Sequence, residues 1–303
     1  MVKSKEHIVA AIDFSAPSAE ALRESVRISA SRGAQLTALH VVDSRVMEGM
    51  RERINIDESE LVAETKKRLA EFVGRAVRSD GEIQLEVVAG HPFDELLKAV
   101  KRLDATLLVM GAHGSGDDPL RVGMIASKCV RKAPVDVLLV RELHHGKQFR
   151  KVLACIDFSE NSKRAARSAI EFAKRDGAPI EFLNIYQPLC DRAPMADYIG
   201  GGQLVSDEEV MDANRENLQQ LVATLLEDSP EVEHTEVVKR SASIAGGISD
   251  HVQANGIDLL ALGTRGRTGL KVLLLGTTAE KVIHAATCST LAVKPEGFHY
   301  EHA

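Results

Sequence analysis

The sequence predicts two tandem α/β domains, each a doubly wound parallel sheet with helices on both faces, and three observations carry that expectation. The first is a duplication: HIVAAIDFSAPSAEALRESVRISASRGAQLTALHVVD, from His7, recurs as KVLACIDFSENSKRAARSAIEFAKRDGAPIEFLNIYQ, from Lys151, at an offset of 144. Between 8–43 and 152–187, 11 of 36 positions are identical, including Ile-Asp-Phe-Ser at 12–15 and 156–159. The second is alternation: short continuous apolar runs trade places with segments of helical periodicity, the pattern of a parallel sheet covered on both faces. The third is that the fourth apolar run of each copy enters a glycine-rich loop that opens onto a helix. A length of 303 residues is about two domains' worth, and a 44% hydrophobic share supplies a core for each.

Each copy opens with an apolar strand that ends in an aspartate, Asp13 or Asp157, followed by Ser15 or Ser159 as the N-cap of an amphipathic helix. Gly33 and Gly177 fit the position just past that helix, where a left-handed residue stops it. Second strands are expected at Leu36–Val42 and Ile180–Tyr186. Polar insertions (44–60 and 188–206) then precede charged helices near Glu58–Arg78 and Glu208–Glu227. Third strands at Ile83–Val88 and Glu233–Lys239 lead to helices at Pro92–Lys101 and Ile244–Asn255. Fourth strands, Thr106–Met110 and Asp258–Leu262, enter the glycine loops, and fifth strands at Val137–Val140 and Thr290–Val293 close each half. The polar stretch RELHHGKQFR, 141–150, reads as a linker, so the expected domains are 1–143 and 150–303.

Composition narrows the function classes. A net charge of −6 gives no global basic field, which argues against nucleic acid as the main partner. Apolar runs stay well short of the ~20 residues that span a bilayer, and MVKSKEHIVAAIDFS passes directly into a strand pattern, so no membrane association and a cytoplasmic location are expected. Cys129, Cys155, Cys190 and Cys288 form no Cys-x-x-Cys, and free buried thiols are expected in a reducing compartment. His144, His145, His299 and His302 fall in the linker and the C-terminal tail and read as solvated.

The most informative stretch runs from Leu259 to Pro295. Glycines at 263, 266 and 269 follow the fourth strand, and Gly276-Thr277-Thr278 opens the last helix. Glycine at 263 and 266 is expected to admit positive φ and to let backbone N–H groups face an anion. At Gly276 unpaired amides, hydroxyls and the positive end of the helix dipole converge. Arg265, Arg267 and Lys271 lie in this loop with no acid between 263 and 277. A phosphate-holding loop is the functional reading, and a glycine-rich turn made for backbone reasons is the structural alternative. No Gly-x-x-x-x-Gly-Lys-[Ser/Thr] occurs in the chain, so this is not a P-loop.

The spacing Gly-2x-Gly-9x-Gly-[Ser/Thr], complete here as Gly263, Gly266, Gly276 and Thr277, resembles the nucleotide motif of the universal stress protein family. With the duplication and the aspartate after each first strand, the chain resembles a tandem-domain universal stress protein over nearly its whole length. The resemblance implies five parallel strands per domain in the order 3-2-1-4-5, ATP at the carboxyl edge with magnesium as an optional companion, and a homodimer; further protein partners are left unnamed. The ligand position also follows independently, because in open α/β sheets the crevice lies where the winding reverses, between the first and fourth strands.

Carried onto this chain, the resemblance sets Asp157 near the ribose or adenine, Cys155, Ile156 and Ile185 along the adenine pocket, and Gly263, Arg265, Gly266, Gly276, Thr277 and Thr278 around the phosphates. Each has a structural alternative. Asp157 could accept backbone N–H bonds from its own turn, Cys155, Ile156 and Ile185 could be core, and the threonines could cap a helix.

The first half departs from the motif. Gly111, His113 and Gly114 fit it, but Gly123 comes one residue early and Met124 stands where Thr277 stands. Asp117, Asp118 and Arg121 give that loop a formal charge of −1, against +3 for 263–277. Like charges near phosphate repel by on the order of 1 kcal/mol each at an exposed site. The phosphate loop of the first domain therefore reads as degenerate, with Asp13 and Ser127 ambiguous, and one ATP per chain is expected. The leading function is a stress-response regulator or interaction module that binds ATP without being an enzyme. Alternatives are a slow ATPase or autophosphorylating enzyme, and a nucleotide-free dimerising scaffold. ATP pyrophosphatases and nucleotidyltransferases place Ser-Gly-Gly-x-Asp-Ser or His-x-Gly-His after the first strand, where this chain has Ile-Asp-Phe-Ser twice.

Overall fold

A computed structural model of the chain describes residues 6–45, 47–48, 57–77, 82–114, 118, 121–141, 148–188, 206–266 and 274–298. Two compact units divide it, Met1–Lys147 with Gly297–Ala303, and Gln148–Glu296. In the first, β1 (His7–Ile12), α1 (Ala16–Arg32), β2 (Gln35–Asp43), α2 (Glu58–Ala76), β3 (Ile83–Gly90), α3 (Pro92–Arg102), β4 (Leu107–Gly111), α4 (Met124–Lys132) and β5 (Asp136–Val140) follow one another. The second repeats the series as β6 (Val152–Cys155), α5 (Glu160–Asp176), β7 (Ile180–Tyr186), α6 (Asp207–Leu225), β8 (His234–Arg240), α7 (Ile244–Asn255), β9 (Leu259–Gly263), α8 (Thr277–Ala285) and β10 (Ser289–Val293).

Within each unit the strands are parallel and follow the expected order, β3-β2-β1-β4-β5 in the first and β8-β7-β6-β9-β10 in the second. Helices α1 and α2 contact one another, as do α3 and α4, and the same pairing recurs as α5 with α6 and α7 with α8, so each sheet is covered by two helices per face. The central strands are apolar along their whole length because both faces are covered. Ile8, Leu39, Leu108, Leu138, Leu153, Ile180 and Phe182 are fully buried, each stabilising the fold by about 2 kcal/mol.

The first helix of each unit begins and ends as its residues dictate. Ser15 accepts from the Ser18 amide at 3.2 Å, and Ser159 from the Ser162 amide at 3.1 Å. Gly33 and Gly177 end the helices in the left-handed region, at φ 62° and 63°. A full capping box starts α6: the Ser206 hydroxyl accepts from the Glu209 amide at 3.1 Å, and Glu209 accepts from the Ser206 amide at 2.7 Å.

The stretch 141–150 is not wholly a polar linker. Arg141 is buried, and so is Phe149, which packs edge-on against Phe172 at 6.0 Å while its amide donates to Asp176 at 2.8 Å. The Arg150 amide donates to Asp258 at 2.7 Å. An aromatic ring amid polar neighbours was the sign that the second unit begins before residue 150. Residues 142–147, with His144 and His145, lie outside the described residues, as do Cys190, His299, His302 and most of the insertion 188–206. Cys129, Cys155 and Cys288 are free thiols.

At the amino end of the second sheet, Glu181 on β7 accepts from Lys151 at 2.7 Å and pairs with His251 of α7 at 2.6 Å, and Lys239 lies 2.9 Å from the other nitrogen of His251. Burial opposes ionisation of Glu181, but the hydrogen bonds from Lys151 and His251 prevail and hold its carboxyl below the usual carboxylate value. A depressed folded-state pKa contributes stability that is present above the unfolded value and is lost as pH falls through the folded one. Glu181→Gln should therefore cost about 2 kcal/mol at pH 7, and the deficit against wild type should shrink as pH falls below about 4.5. Urea denaturation at pH 7 and pH 3.5 checks this; a deficit independent of pH would mean that shape, not charge, is what Glu181 supplies.

Candidate functional site

The candidate site grows from a turn that both units share. After β1 and β6 the chain runs Asp-Phe-Ser, and the phenylalanine takes a left-handed conformation in each, φ 64° at Phe14 and 65° at Phe158. Bulky side chains rarely adopt that conformation, so its recurrence marks a turn held by its surroundings. The holding group is the aspartate. Asp157 Oδ1 accepts from the Ser159 amide at 3.0 Å and from its hydroxyl at 2.5 Å. Asp13 does the same with the Ser15 amide at 2.9 Å and the Ser15 hydroxyl. The turn-stabilising alternative for Asp157 is thus realised, and it leaves Oδ2 for a second task.

That task is set by the glycine loop. A Cβ on Gly266 would lie 2.7 Å from Asp157 Oδ2, and a Cβ on Gly263 would lie 2.8 Å from Asn161 Nδ2, at the start of α5. Neither glycine takes a positive φ, contrary to the expectation from backbone freedom. They are glycine because the turn after β6 and the loop after β9 approach too closely for a side chain. Gly111 plays the part of Gly263 in the first unit, its missing Cβ standing 2.7 Å from Pro17.

A hydrogen bond ties the end of the loop back to the end of β9. Gly276 N–H donates to Thr264 O at 2.8 Å, and Thr264 is itself fixed by its amide and hydroxyl on Val293 O at 2.9 and 3.1 Å. Gly276 then serves as N-cap of α8 with no side-chain cap bond, and Thr277 and Thr278 are exposed at its first two positions. The threonines therefore do not cap the helix. The first amides of the helix have no side-chain cap, and the macrodipole there favours an anion. The Arg265 carbonyl accepts from Asn161 Nδ2 at 3.2 Å, which fixes the backbone that carries the cation. Gly269, Arg267 and Lys271 lie outside the described residues.

The remaining predicted residues gather at the carboxyl ends of β6 and β7. Ile156 and Ile185 are buried, and burial, reinforced by Cys288 and Asp157, pushes the Cys155 thiol well above its ordinary pKa, so it is a neutral wall. Two neighbours were missed by sequence reasoning. Asn184 donates from Nδ2 to Ile156 O at 2.8 Å, and Asn161 makes the contacts given above; the Oδ1 of each is buried without a hydrogen-bond partner among the described residues. A polar residue inside the apolar run IEFLNIY was the available signal for Asn184. Its counterpart His40 holds the same carbonyl in the first unit, with Nδ1 2.7 Å from Ile12 O.

The first unit keeps more of this backbone than its sequence suggested. Gly123 N–H donates to Ala112 O at 2.8 Å, and Gly123 caps α4 at φ −61° and ψ 157°, close to the −69° and 143° of Gly276. One residue fewer is absorbed within the loop, so the early Gly123 does not damage the helix start. What differs is chemistry: Met124 is 71% exposed where Thr277 stands in the second unit, and Arg121 pairs with Asp118 at 3.6 Å. Ser127 lies within α4, its amide on Gly123 O. Asp117 is outside the described residues.

Comparison with known proteins agrees with this architecture. The sequence model of the Universal stress protein family matches twice, over residues 5–141 and 148–294. A universal stress protein of Mycolicibacterium smegmatis is 25% identical over 302 residues, covering 95% of this chain and 97% of that protein. The single-domain universal stress protein YxiE of Bacillus subtilis is 28% identical over 151 residues, covering 48% of this chain and 99% of YxiE. The crystal structure of a universal stress protein from Archaeoglobus fulgidus superposes with a TM-score of 0.64 at 18% identity, covering 96% of this chain and 99% of that one, and so shares the fold. The chain belongs to the universal stress protein family, as a tandem of two of its domains.

Proposed function

We propose that the second domain binds ATP and that the chain works as a nucleotide-dependent regulator or interaction module of the stress response, not as an enzyme. The observation that carries the reading is the start of α8: a helix N-terminus without a side-chain cap, latched by Gly276 onto Thr264, next to Arg265 in the chain and with Thr277 and Thr278 exposed. In this reading the phosphates, with or without magnesium, lie against Gly276, Thr277, Thr278 and Arg265. Gly263 and Gly266 act indirectly, by letting the loop close onto Asn161 and Asp157. The base lies along Cys155, Ile156 and Ile185, where the unpartnered Oδ1 of Asn184 can accept from an exocyclic amine. Asp157 Oδ2 is the ribose acceptor, Oδ1 being taken by Ser159.

The absence of catalysis is part of the proposal. Asp157, which packs against the loop at Gly266, is engaged by its own turn, and ground-state binding by amides and hydroxyls does not by itself accelerate phosphoryl transfer. Among the described residues no helix is long and apolar enough to cross a membrane. A cytoplasmic homodimer completes the reading, with family membership as its support.

Calorimetric titration tests the site. One ATP per chain is expected. Among the described residues a Cβ on Gly276 would meet only Thr264 O, at 3.4 Å, so Gly276→Glu should keep the fold while setting a negative charge against phosphate, with at least about a tenfold loss of affinity. Gly123→Glu should change ATP affinity little. Two equivalent ATP sites, or unaltered affinity in Gly276→Glu, would overturn the assignment.

Turnover supplies a separate check. Steady-state ATP hydrolysis should stay far below the ~10 s⁻¹ typical of enzymes. A rate above about 1 s⁻¹ that survives removal of contaminating ATPases and vanishes in Gly276→Glu would make the protein an enzyme.

A further inference from the structure

The first domain contains a cavity of about 320 Å³ at the carboxyl ends of β1 and β4, the place where the winding of its sheet reverses. That volume lies at the lower end of the range for small-molecule sites. Its walls are mostly aliphatic, from residues such as Ala11, Leu39 and Leu96, and among the described residues no lysine or arginine lines it. The polar groups are Asp13, Ser18, His40 and His113. Asp13 Oδ1 is engaged by Ser15. His40 is the more telling: its Nδ1 faces a carbonyl and so carries the proton, while Nε2 has no hydrogen-bond partner among the described residues. Burial, helped by Arg68 and opposed by the bond to Ile12 and the charge of Asp13, lowers the pKa of His40, so at neutral pH Nε2 is an acceptor.

The two domains can be compared group by group. The end that would hold a base and ribose is retained, with His40 on Ile12 O for Asn184 on Ile156 O and Asp13 in the same turn as Asp157. At the other end the backbone latch persists, but Met124 and Ile125 replace two threonines, both line the cavity, and Met124 is 71% exposed at its rim. Aliphatic rim, carboxylate and neutral imidazole acceptors suit a ligand that brings N–H and O–H donors and no negative charge.

We propose that the crevice of the first domain is a second ligand site, selective for an uncharged, unphosphorylated nucleoside. The choice of a nucleoside rests on the nucleotide reading of the second domain; the exclusion of phosphate rests on the first domain's own residues. A chain with one nucleotide site and one nucleoside site carries separate receptors for the phosphorylated and the unphosphorylated ligand.

Hydrogen exchange read by mass spectrometry on the full chain, with adenosine and ATP as probes differing only in the triphosphate, tests this. Peptides spanning 107–132 should be protected by adenosine at concentrations at least about tenfold lower than by ATP. Met124→Lys, a change at an exposed position, should narrow that gap by adding a cation at the rim. Equal or tighter protection of 107–132 by ATP, no protection by millimolar adenosine, or a gap unmoved by Met124→Lys would each overturn the proposal. Peptides spanning 259–285 report the second domain separately, so failure of ATP to protect them would count against the nucleotide reading and would be seen apart from the result in the first domain.

Discussion

The site depends on the approach of one carboxylate to one backbone. Asp157 binds the turn that follows β6 with one oxygen and presses the other to where Gly266 has no side chain. Through that contact the position of the glycine loop is tied to the end of the first strand of its domain, and Asn161 against Gly263 makes a second tie one turn further into α5. Gly276 closes the circuit on Thr264. The amides at the start of α8 are thereby aimed by contacts between fixed elements, and a site aimed in this way owes little ordering cost when a ligand arrives.

The duplication makes it possible to see which parts of the device are architectural and which are chemical. Both domains keep the left-handed phenylalanine, the aspartate that holds it, the glycine under the first helix and the latch at the start of the last helix. These are geometric requirements of bringing a strand end and a loop together at the switch point of the sheet. Side chains at the rim are free of that requirement. Threonines in one domain and methionine and isoleucine in the other leave the fold unchanged while changing the chemistry of the rim, as expected where function lives in a site grafted on a fold.

Much of the fold was legible in the sequence. Continuous apolar runs placed the inner strands to within one or two residues, because strands buried on both faces have no polar alternation to confuse, and Ser15, Ser159, Gly33 and Gly177 fixed the first helix of each domain by cap chemistry alone. The candidate site was legible only as a spacing. Gly263, Gly266 and Gly276 singled out the loop after β9, which the structure brings against the turn after β6, but the reason for two of the glycines was misread: their missing side chains make room for Asn161 and Asp157, a requirement that only tertiary contact reveals. For the same reason the early Gly123 was overrated, since loop length is absorbed locally and the hydrogen bond to Ala112 is unaffected. Asn184 and His40 went unnoticed because each looks like an interruption of a strand until the carbonyl it holds is seen. Phe149, read as linker, is core because its ring finds Phe172 across the domain.

The central claim is that the second domain retains an adenine nucleotide through its phosphate end. It is tested most directly by loading the purified full-length protein with ATP, removing free nucleotide by desalting, denaturing with heat, and identifying what is released by chromatography. The account predicts ATP as the retained species, at up to one equivalent per chain, and its disappearance from Gly276→Glu. Release of no nucleotide from folded, loaded wild-type protein would contradict it.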